Sequence, residues 1–115
     1  MQDIVFGKRG EIIAKNYLIK KGYKIVETNY KNKLGEIDII AKDKDCLVFV
    51  EVKTRTSRAF GDPLEAINFK KQQKIRAVAT AYLKQHHILD CNCRFDAIAV
   101  MGEGDSEINH IQEAF

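Results

Sequence analysis

Residues 35–55 read "GEIDIIAKDKDCLVFVEVKTR" and indicate the central part of a β-sheet. In both halves apolar residues alternate with other residues, which predicts two half-buried β-strands joined by a turn. Three charged residues, Asp38, Glu51 and Lys53, lie within these predicted strands. Charged side chains are costly inside a sheet unless they are paired or bind something. We therefore expect these three residues to have either a functional role or a paired structural one.

The alternation also fixes the register of the predicted hairpin. An antiparallel pair should place its two apolar sets on the same side of the sheet; these sets are Ile37, Ile39 and Ala41, and Val48, Val50 and Val52. That condition predicts an even-length turn centred on Lys44 and Asp45. The predicted facing pairs are Ile39 with Val50 and Ile37 with Val52.

The same register brings charged residues together on the other side of the sheet, with Asp38 opposite Glu51 and Glu36 opposite Lys53. Two facing carboxylates repel, and a divalent cation between them would remove that cost. Their hard oxygen ligands suit Mg²⁺ or Mn²⁺. Lys53 could orient a water or meet the negative charge of a phosphoryl transition state. A solvated face with cross-strand salt bridges remains the alternative, because E-x-K occurs by chance in many proteins.

Further elements are predicted on both sides of the hairpin. Apolar residues recur at three- and four-residue spacing through residues 3–21, which predicts a helix, and "YKIVETNYK" at 23–31 predicts a strand. A second helix is predicted after the hairpin, with Asp62 as its N-cap, Pro63 in its first turn and Glu65 completing the cap.

The C-terminal part predicts one or two more strands, "RFDAIAVM" at 94–101 and "INHIQEAF" at 108–115. The order is then helix, three strands, helix, and one or two strands. This order is typical of an α/β or α+β domain in which helices pack against a mixed sheet. Within "RFDAIAVM", Arg94 and Asp96 predict a structural ion pair.

The composition predicts one soluble globular domain, residues 1–115. Of the 115 residues 45% are hydrophobic and 30% charged, and no apolar run approaches the roughly 20 residues that span a membrane. Three cysteines without a secretory signal favour a reduced, cytoplasmic protein. The formal net charge of +3 permits a nucleic-acid partner without arguing for one.

A second cluster of potential metal ligands lies in "HHILDCNC", which contains His86, His87, Cys91 and Cys93. Closed zinc sites usually have CxxC-type spacings, and this spacing matches none of them. A helix end followed by a turn into a strand is the favoured interpretation.

The joint order of several motifs resembles the YraN family of bacterial proteins. The motifs are "GKRGEIIAKNYLIKKGYKIVETNY", "GEIDIIAKD", "LVFVEVKTR", "FGDPLEAI", "KKQQKIRAVATAYL" and "RFDAIAV". Members are predicted endonucleases of the PD-(D/E)XK superfamily, similar to archaeal Holliday junction resolvases. Asp38 and "EVK" at 51–53 resemble the superfamily signature, although Ile37 stands where the signature has Pro. The resemblance implies a restriction-endonuclease-like αβββαβ core.

The resemblance also implies roles for individual residues. Asp38 and Glu51 would bind Mg²⁺ or Mn²⁺, Lys53 would position the attacking water, and Glu11 in the first helix would support the metal or its hydration. Glu36 would be a salt-bridge partner, an outer ligand or a contributor to the metal site. A surface position near a helix N-terminus is the alternative for Glu11.

Nucleic-acid contacts would come from basic residues just beyond this site, where a phosphate backbone could be held. The candidates are Arg55, Arg58, Lys70, Lys71 and Lys74. An ordinary solvated helix face is at least as good an interpretation of the three lysines. Resolvase-like relatives act as two-fold dimers, so the resemblance also implies a homodimer.

Three hypotheses about function follow. The first is a metal-dependent endonuclease that hydrolyses phosphodiester bonds in branched or otherwise structured DNA. The second is a nucleic-acid-binding module that has the nuclease fold but cuts little or not at all. The third is a structural or interaction protein whose charged hairpin is only a salt-bridged surface.

Overall fold

The computed structural model describes residues 2–55, 67–102 and 107–115, which form an α+β structure around one five-stranded sheet. The elements are α1 (Gln2–Lys20), β1 (Lys24–Asn32), β2 (Gly35–Asp43), β3 (Cys46–Arg55), α2 (Phe69–Gln85), β4 (Asn92–Met101) and β5 (Glu107–Ile111). The strands lie in the order β1-β2-β3-β4-β5. The mixed sheet with helices against it is therefore confirmed. Neither described helix combines the length and apolar character needed to cross a membrane.

Among the five described strands, only one pair of neighbours is parallel. β3 and β4 run parallel, whereas the other three pairs are antiparallel. The chain between β3 and β4 contains α2, and a parallel pair needs a crossover connection of this kind. Antiparallel neighbours, in contrast, can be joined by short turns.

The two helices cover opposite faces of the sheet, because alternate strand residues enter two separate apolar clusters. The α1-side cluster contains Ala14, Leu18, Tyr23, Ile39, Ala41, Val48, Val50, Val52, Ile98 and Val100. The α2-side cluster contains Ile37, Ile40, Leu47, Phe49, Ile75, Val78, Ala79 and Tyr82. α2 contributes Ile75, Val78, Ala79 and Tyr82 to the second cluster.

The register predicted for the hairpin is correct near its turn and wrong farther from it. Asp43 pairs with Cys46 around the predicted two-residue turn, and Ile39 pairs with Val50. The β2–β3 ladder ends there, so Ile37 does not pair with Val52. Ile37 also joins the α2-side cluster, although Ile39 packs on the α1 side. β2 therefore changes orientation next to Asp38 and leaves β3.

The facing pair of Glu36 and Lys53 is a second correction. Glu36 lies outside the β2–β3 ladder and pairs instead with Lys31 of β1. The physical reason is the same change in β2. A strand that leaves one neighbour can remain paired only with the other, and here that neighbour is β1.

The start of α2 differs from the prediction. Asp62, Pro63 and Glu65 lie outside the described residues, and α2 begins at Phe69. Its N-cap is Asn68, whose side-chain oxygen accepts a hydrogen bond from the backbone N–H of Lys71 at 2.9 Å. Asn is as good an N-cap as Asp. The sequence thus offers a second cap, which the more conspicuous Asp-Pro signal concealed.

The ion pair between Arg94 and Asp96 is confirmed. Arg94 donates two hydrogen bonds to the fully buried Asp96 carboxylate, at 2.8 and 3.1 Å. His110 Nε2 lies 2.7 Å from the same carboxylate, and the backbone N–H of Glu113 donates to it at 3.1 Å. Asp96 therefore holds β4 to the C-terminal segment. Ile98 and Val100, two and four residues after Asp96 on β4, pack on the α1 side of the sheet. Because alternate residues of a strand share a face, Asp96 also lies on the α1 side and faces away from Glu51.

Candidate active site

The candidate site lies where β2 leaves β3. The Asp38 carboxylate accepts a hydrogen bond from the backbone N–H of Val52 at 2.7 Å. In a continuous hairpin this N–H would bond the carbonyl of Ile37, because hydrogen-bonded pairs alternate along an antiparallel ladder. The Asp38 side chain thus replaces a backbone acceptor, and this bond fixes the carboxylate in the gap between the strands.

Glu51 is buried beside Asp38 and is only 6% exposed. Burial, and then the negative charge of Asp38, raises the pKa of Glu51 from its ordinary 4.5 to about 7. Burial also raises the pKa of Asp38, although the Val52 N–H opposes this effect. Of the two groups, Glu51 is the one whose protonated form the neighbouring Asp38 carboxyl favours. The structure therefore confines two adjacent carboxyl groups that resist being charged together.

Two lysines face this carboxyl pair. Lys53 Nζ lies 3.9 Å from Glu51 Oε1, and Lys71 Nζ, from the first turn of α2, lies 3.6 Å from the same oxygen. Burial, followed by the charge of Lys71, lowers the pKa of Lys53. On β4 the residues paired with Glu51 and Lys53 are Ala97 and Ala99, whose small side chains leave room for both.

Glu11 reaches the site from the α1 side. With its side-chain nitrogen turned toward both carboxylates, Asn29 donates to Glu11 at 2.7 Å and to Glu36 at 3.3 Å. Burial, and then the charges of Asp38 and Glu36, raises the pKa of Glu11. Glu11, Asn29 and Asp38 line one cavity of about 190 Å³, together with Lys8. Glu11 is therefore close to Asp38, as its predicted role requires.

A close approach of α1 to β3 sets this position. Gly10 precedes Glu11 and is buried against Thr54, which follows Lys53. A Cβ atom at Gly10 would overlap Thr54 Cγ2 and lie 3.1 Å from Thr54 Cβ. Only Gly allows the helix backbone to come this near, and the close packing brings Glu11 within reach of the gap at Asp38.

The carboxylate oxygens at this site suit Mg²⁺ or Mn²⁺ better than a metal whose ligands all come from the protein. Among the described residues no three His, Cys, Asp or Glu side chains are arranged to hold a metal ion. Mg²⁺ does not need three, because it commonly binds one or two carboxylates and completes its shell with water and substrate phosphate. Asp38 and Glu51 could supply two such carboxylate ligands. Glu11 lines the same cavity as Asp38, where it could bind water molecules around the metal.

The other predicted nucleic-acid contacts are only partly described. Arg55 donates to the carbonyl of Thr54 at 2.8 Å, and Arg58 lies outside the described residues. Lys70 and Lys74 are exposed on α2. Of the three predicted lysines of α2, the structure therefore brings only Lys71 to the carboxyl pair.

The Cys-His segment runs from the end of α2 to the start of β4. Cys91 and Cys93 are exposed with their sulfur atoms 3.2 Å apart. His86 is the C-cap of α2 and packs on Tyr82 with ring centroids 4.3 Å apart. The interpretation as a helix end that leads into a strand is confirmed by α2 and β4.

Sequence reasoning missed two contacts at the site. It assigned Lys71 to a phosphate contact or a solvated helix face, and it gave Asn29 no role. Asn29 has a left-handed backbone, with φ of 53°, opposite the region where β2 changes orientation. Asn adopts this conformation more readily than most residues. An Asn in the middle of a predicted strand was the signal that could have indicated it.

Comparisons with known proteins agree on one family. The family model described as "Uncharacterised protein family UPF0102" matches residues 10–100. A UPF0102 protein of Alkaliphilus oremlandii is 53% identical over 112 residues, covering 95% of this chain and 96% of its own. Similar proteins of Caldanaerobacter subterraneus and Clostridioides difficile are 50% and 49% identical, covering 93% and 95% of their own lengths and 95% of this chain. The chain therefore belongs to the UPF0102 family, the YraN-like family that its motifs resemble.

Proposed function

We propose that this protein is a metal-dependent endonuclease that hydrolyses phosphodiester bonds in branched or otherwise structured DNA. The observation that supports this function best is the convergence of Asp38, Glu51 and Lys53 where β2 leaves β3. The element order from α1 to β4 also corresponds to a restriction-endonuclease-like αβββαβ core. Two adjacent carboxyl groups, Glu51 buried and Asp38 half-buried, with a lysine beside them form a costly arrangement for a purely structural surface.

Asp38 and Glu51 are the residues that would hold Mg²⁺ or Mn²⁺, with Glu11 supporting its hydration. A bound divalent cation lowers the pKa of a coordinated water and neutralises charge on the phosphate. Lys53 is held beside Glu51 by β3, and burial lowers its pKa. From this position beside Glu51, its ammonium can orient the attacking water or stabilise the charge that develops as the P–O bond breaks.

Cleavage assays on single-stranded, duplex, flap and four-way DNA with Mg²⁺ or Mn²⁺ test this function. Lys53→Ala should keep metal binding, because an ammonium is not a ligand for a cation, yet lose roughly 10²-fold or more in cleavage rate. Glu51→Gln should lose metal binding and cleavage together. Metal binding is measured separately as the rise in melting temperature with Mn²⁺.

Lys42→Ala is the matched control, since Lys42 is an exposed lysine at the turn end of β2. It should cleave like the wild type. If the wild type cleaves and Lys53→Ala cleaves at the same rate, the mechanism is wrong. If the wild type binds these DNAs but cuts none of them, the protein is the binding module of the second hypothesis.

A further inference from the structure

Lys71 occupies an unusual position for a lysine. It lies in the first turn of α2, where the unpaired N–H groups carry partial positive charge and favour acidic side chains. The first turn of α2 contains no acidic residue, and Lys70 adds a second positive charge there. The compensating negative charge comes from β3, because Lys71 Nζ lies 3.6 Å from Glu51 Oε1. Among the described contacts, Glu51 is thus the counter-ion of Lys71.

Lys71 also has the freedom to leave that counter-ion. Its backbone is fixed, because its N–H donates to the Asn68 cap, but 42% of its side chain is exposed. Lys53, the other cation at Glu51, is only 19% exposed and belongs to the same strand as Glu51. Of these two ammonium groups, only that of Lys71 is half-open to solvent and carried by a different element.

We infer that Lys71 is a tethered cation that neutralises the Asp38–Glu51 pair in the metal-free protein and competes with the divalent cation for it. This inference rests on the proposed metal site. Both cations require the same oxygens of Glu51, so binding of one disfavours the other. Lys71 would then remain ion-paired with the two carboxyl groups in the metal-free protein. Once the metal is bound, the Lys71 ammonium would become available to a phosphate group of DNA.

The test compares Mn²⁺ dissociation constants of metal-free wild type, Lys71→Met, Lys71→Arg and Lys74→Met, obtained by calorimetry at one ionic strength. Met keeps most of the side-chain bulk without the charge. A partly exposed ion pair is weak, so Lys71→Met should bind Mn²⁺ about two- to tenfold more tightly. Lys71→Arg keeps the charge and should bind no more tightly than the wild type. Lys74→Met removes an exposed charge of the same helix and should change affinity less than about twofold.

The outcomes separate this inference from the function on which it rests. If wild type and Lys71→Met bind Mn²⁺ equally, or if Lys71→Met binds more weakly, the metal site stands and the competition is refuted. If Lys71→Met binds but the wild type does not, competition is stronger than expected and the inference holds. If none of the four proteins binds Mn²⁺, the proposed metal site is wrong and the inference is overturned with it. Thermal denaturation of each variant confirms that it is folded.

Discussion

Glu51 is a buried carboxyl group whose ionisation opposes folding in the metal-free protein. Its pKa is raised from 4.5 to about 7. Between these values the folded protein holds a proton that the unfolded chain has released, so this group's contribution to stability falls as pH rises. Glu51→Gln removes the titration. Relative to the wild type, the variant should therefore gain stability from pH 5 to pH 8, by about 3 kcal/mol at most.

Urea denaturation at several pH values, with a chelator present, measures this difference. The control is Glu36→Gln, which removes an exposed carboxyl group. If the stability difference between Glu51→Gln and the wild type is constant over the same pH range, ionisation of Glu51 does not oppose folding. The strain that the proposed metal relieves would then be absent.

The positions of individual residues were predicted correctly where the alternation of apolar and other residues determines them. Asp38 and Glu51 are adjacent because Ile39 faces Val50, as the apolar pattern requires. The roles of Lys71 and Asn29 were not predictable in this way. A lysine reaches its partner through a long flexible side chain across two elements, and no local pattern specifies that contact.

At the scale of elements, the packing of α1 on β3 depends on Gly10. Gly10→Ala should destabilise the protein by about 1 kcal/mol or more, because overlap with Thr54 outweighs the better helix propensity of Ala. Displacement of α1 should also move Glu11. Urea denaturation measures the change in the free energy of unfolding.

Thr54→Ala supplies the rescue that identifies this contact. It removes Cγ2, the atom that a Cβ at Gly10 would overlap, so the double variant should be more stable than the sum of the two single effects predicts. Strict additivity would mean that the cost of Gly10→Ala arises elsewhere. A loss smaller than that of an ordinary surface substitution would mean that α1 adjusts freely.

The elements themselves were largely predictable, since helix and strand periods are local properties of the sequence. Their irregularities were not. The end of the β2–β3 ladder arises because Asp38 takes the N–H of Val52, which is a tertiary event inside a regular alternation. The sequence drew attention to Asp62, which lies outside the described residues, whereas α2 is capped by Asn68, and local chemistry favours both residue types as caps.

At the scale of the whole molecule, one buried polar network connects parts of the chain that are distant in sequence. Arg94 bonds Asp96, Tyr23 and Asp43, while His110 bonds Asp96 and Tyr17. The network therefore joins α1, β2, β4, β5 and the start of β1. Burial raises the pKa of Asp96, but the bonds from His110 and Arg94 outweigh it, so the net shift is downward. The stability that Asp96 contributes is thus present above its unfolded pKa, near 4, and is lost as pH falls.

Asp96→Asn should destabilise the protein by roughly 3–5 kcal/mol at neutral pH, because it leaves Arg94 buried without its counter-ion and turns an amide N–H₂ toward donors. Asp43→Asn is the matched comparison: Asp43 bonds the same Arg94 at 3.3 Å, but its side chain is 29% exposed. Asp43→Asn should lower the free energy of unfolding by about 1 kcal/mol or less, because solvent can replace the missing charge. Both differences are measured as free energies of unfolding in urea.

Equal losses for the two variants would mean that Arg94, rather than the buried carboxylate, determines the strength of the network. A small loss for both would mean that the apolar clusters hold the sheet and α1 together without it.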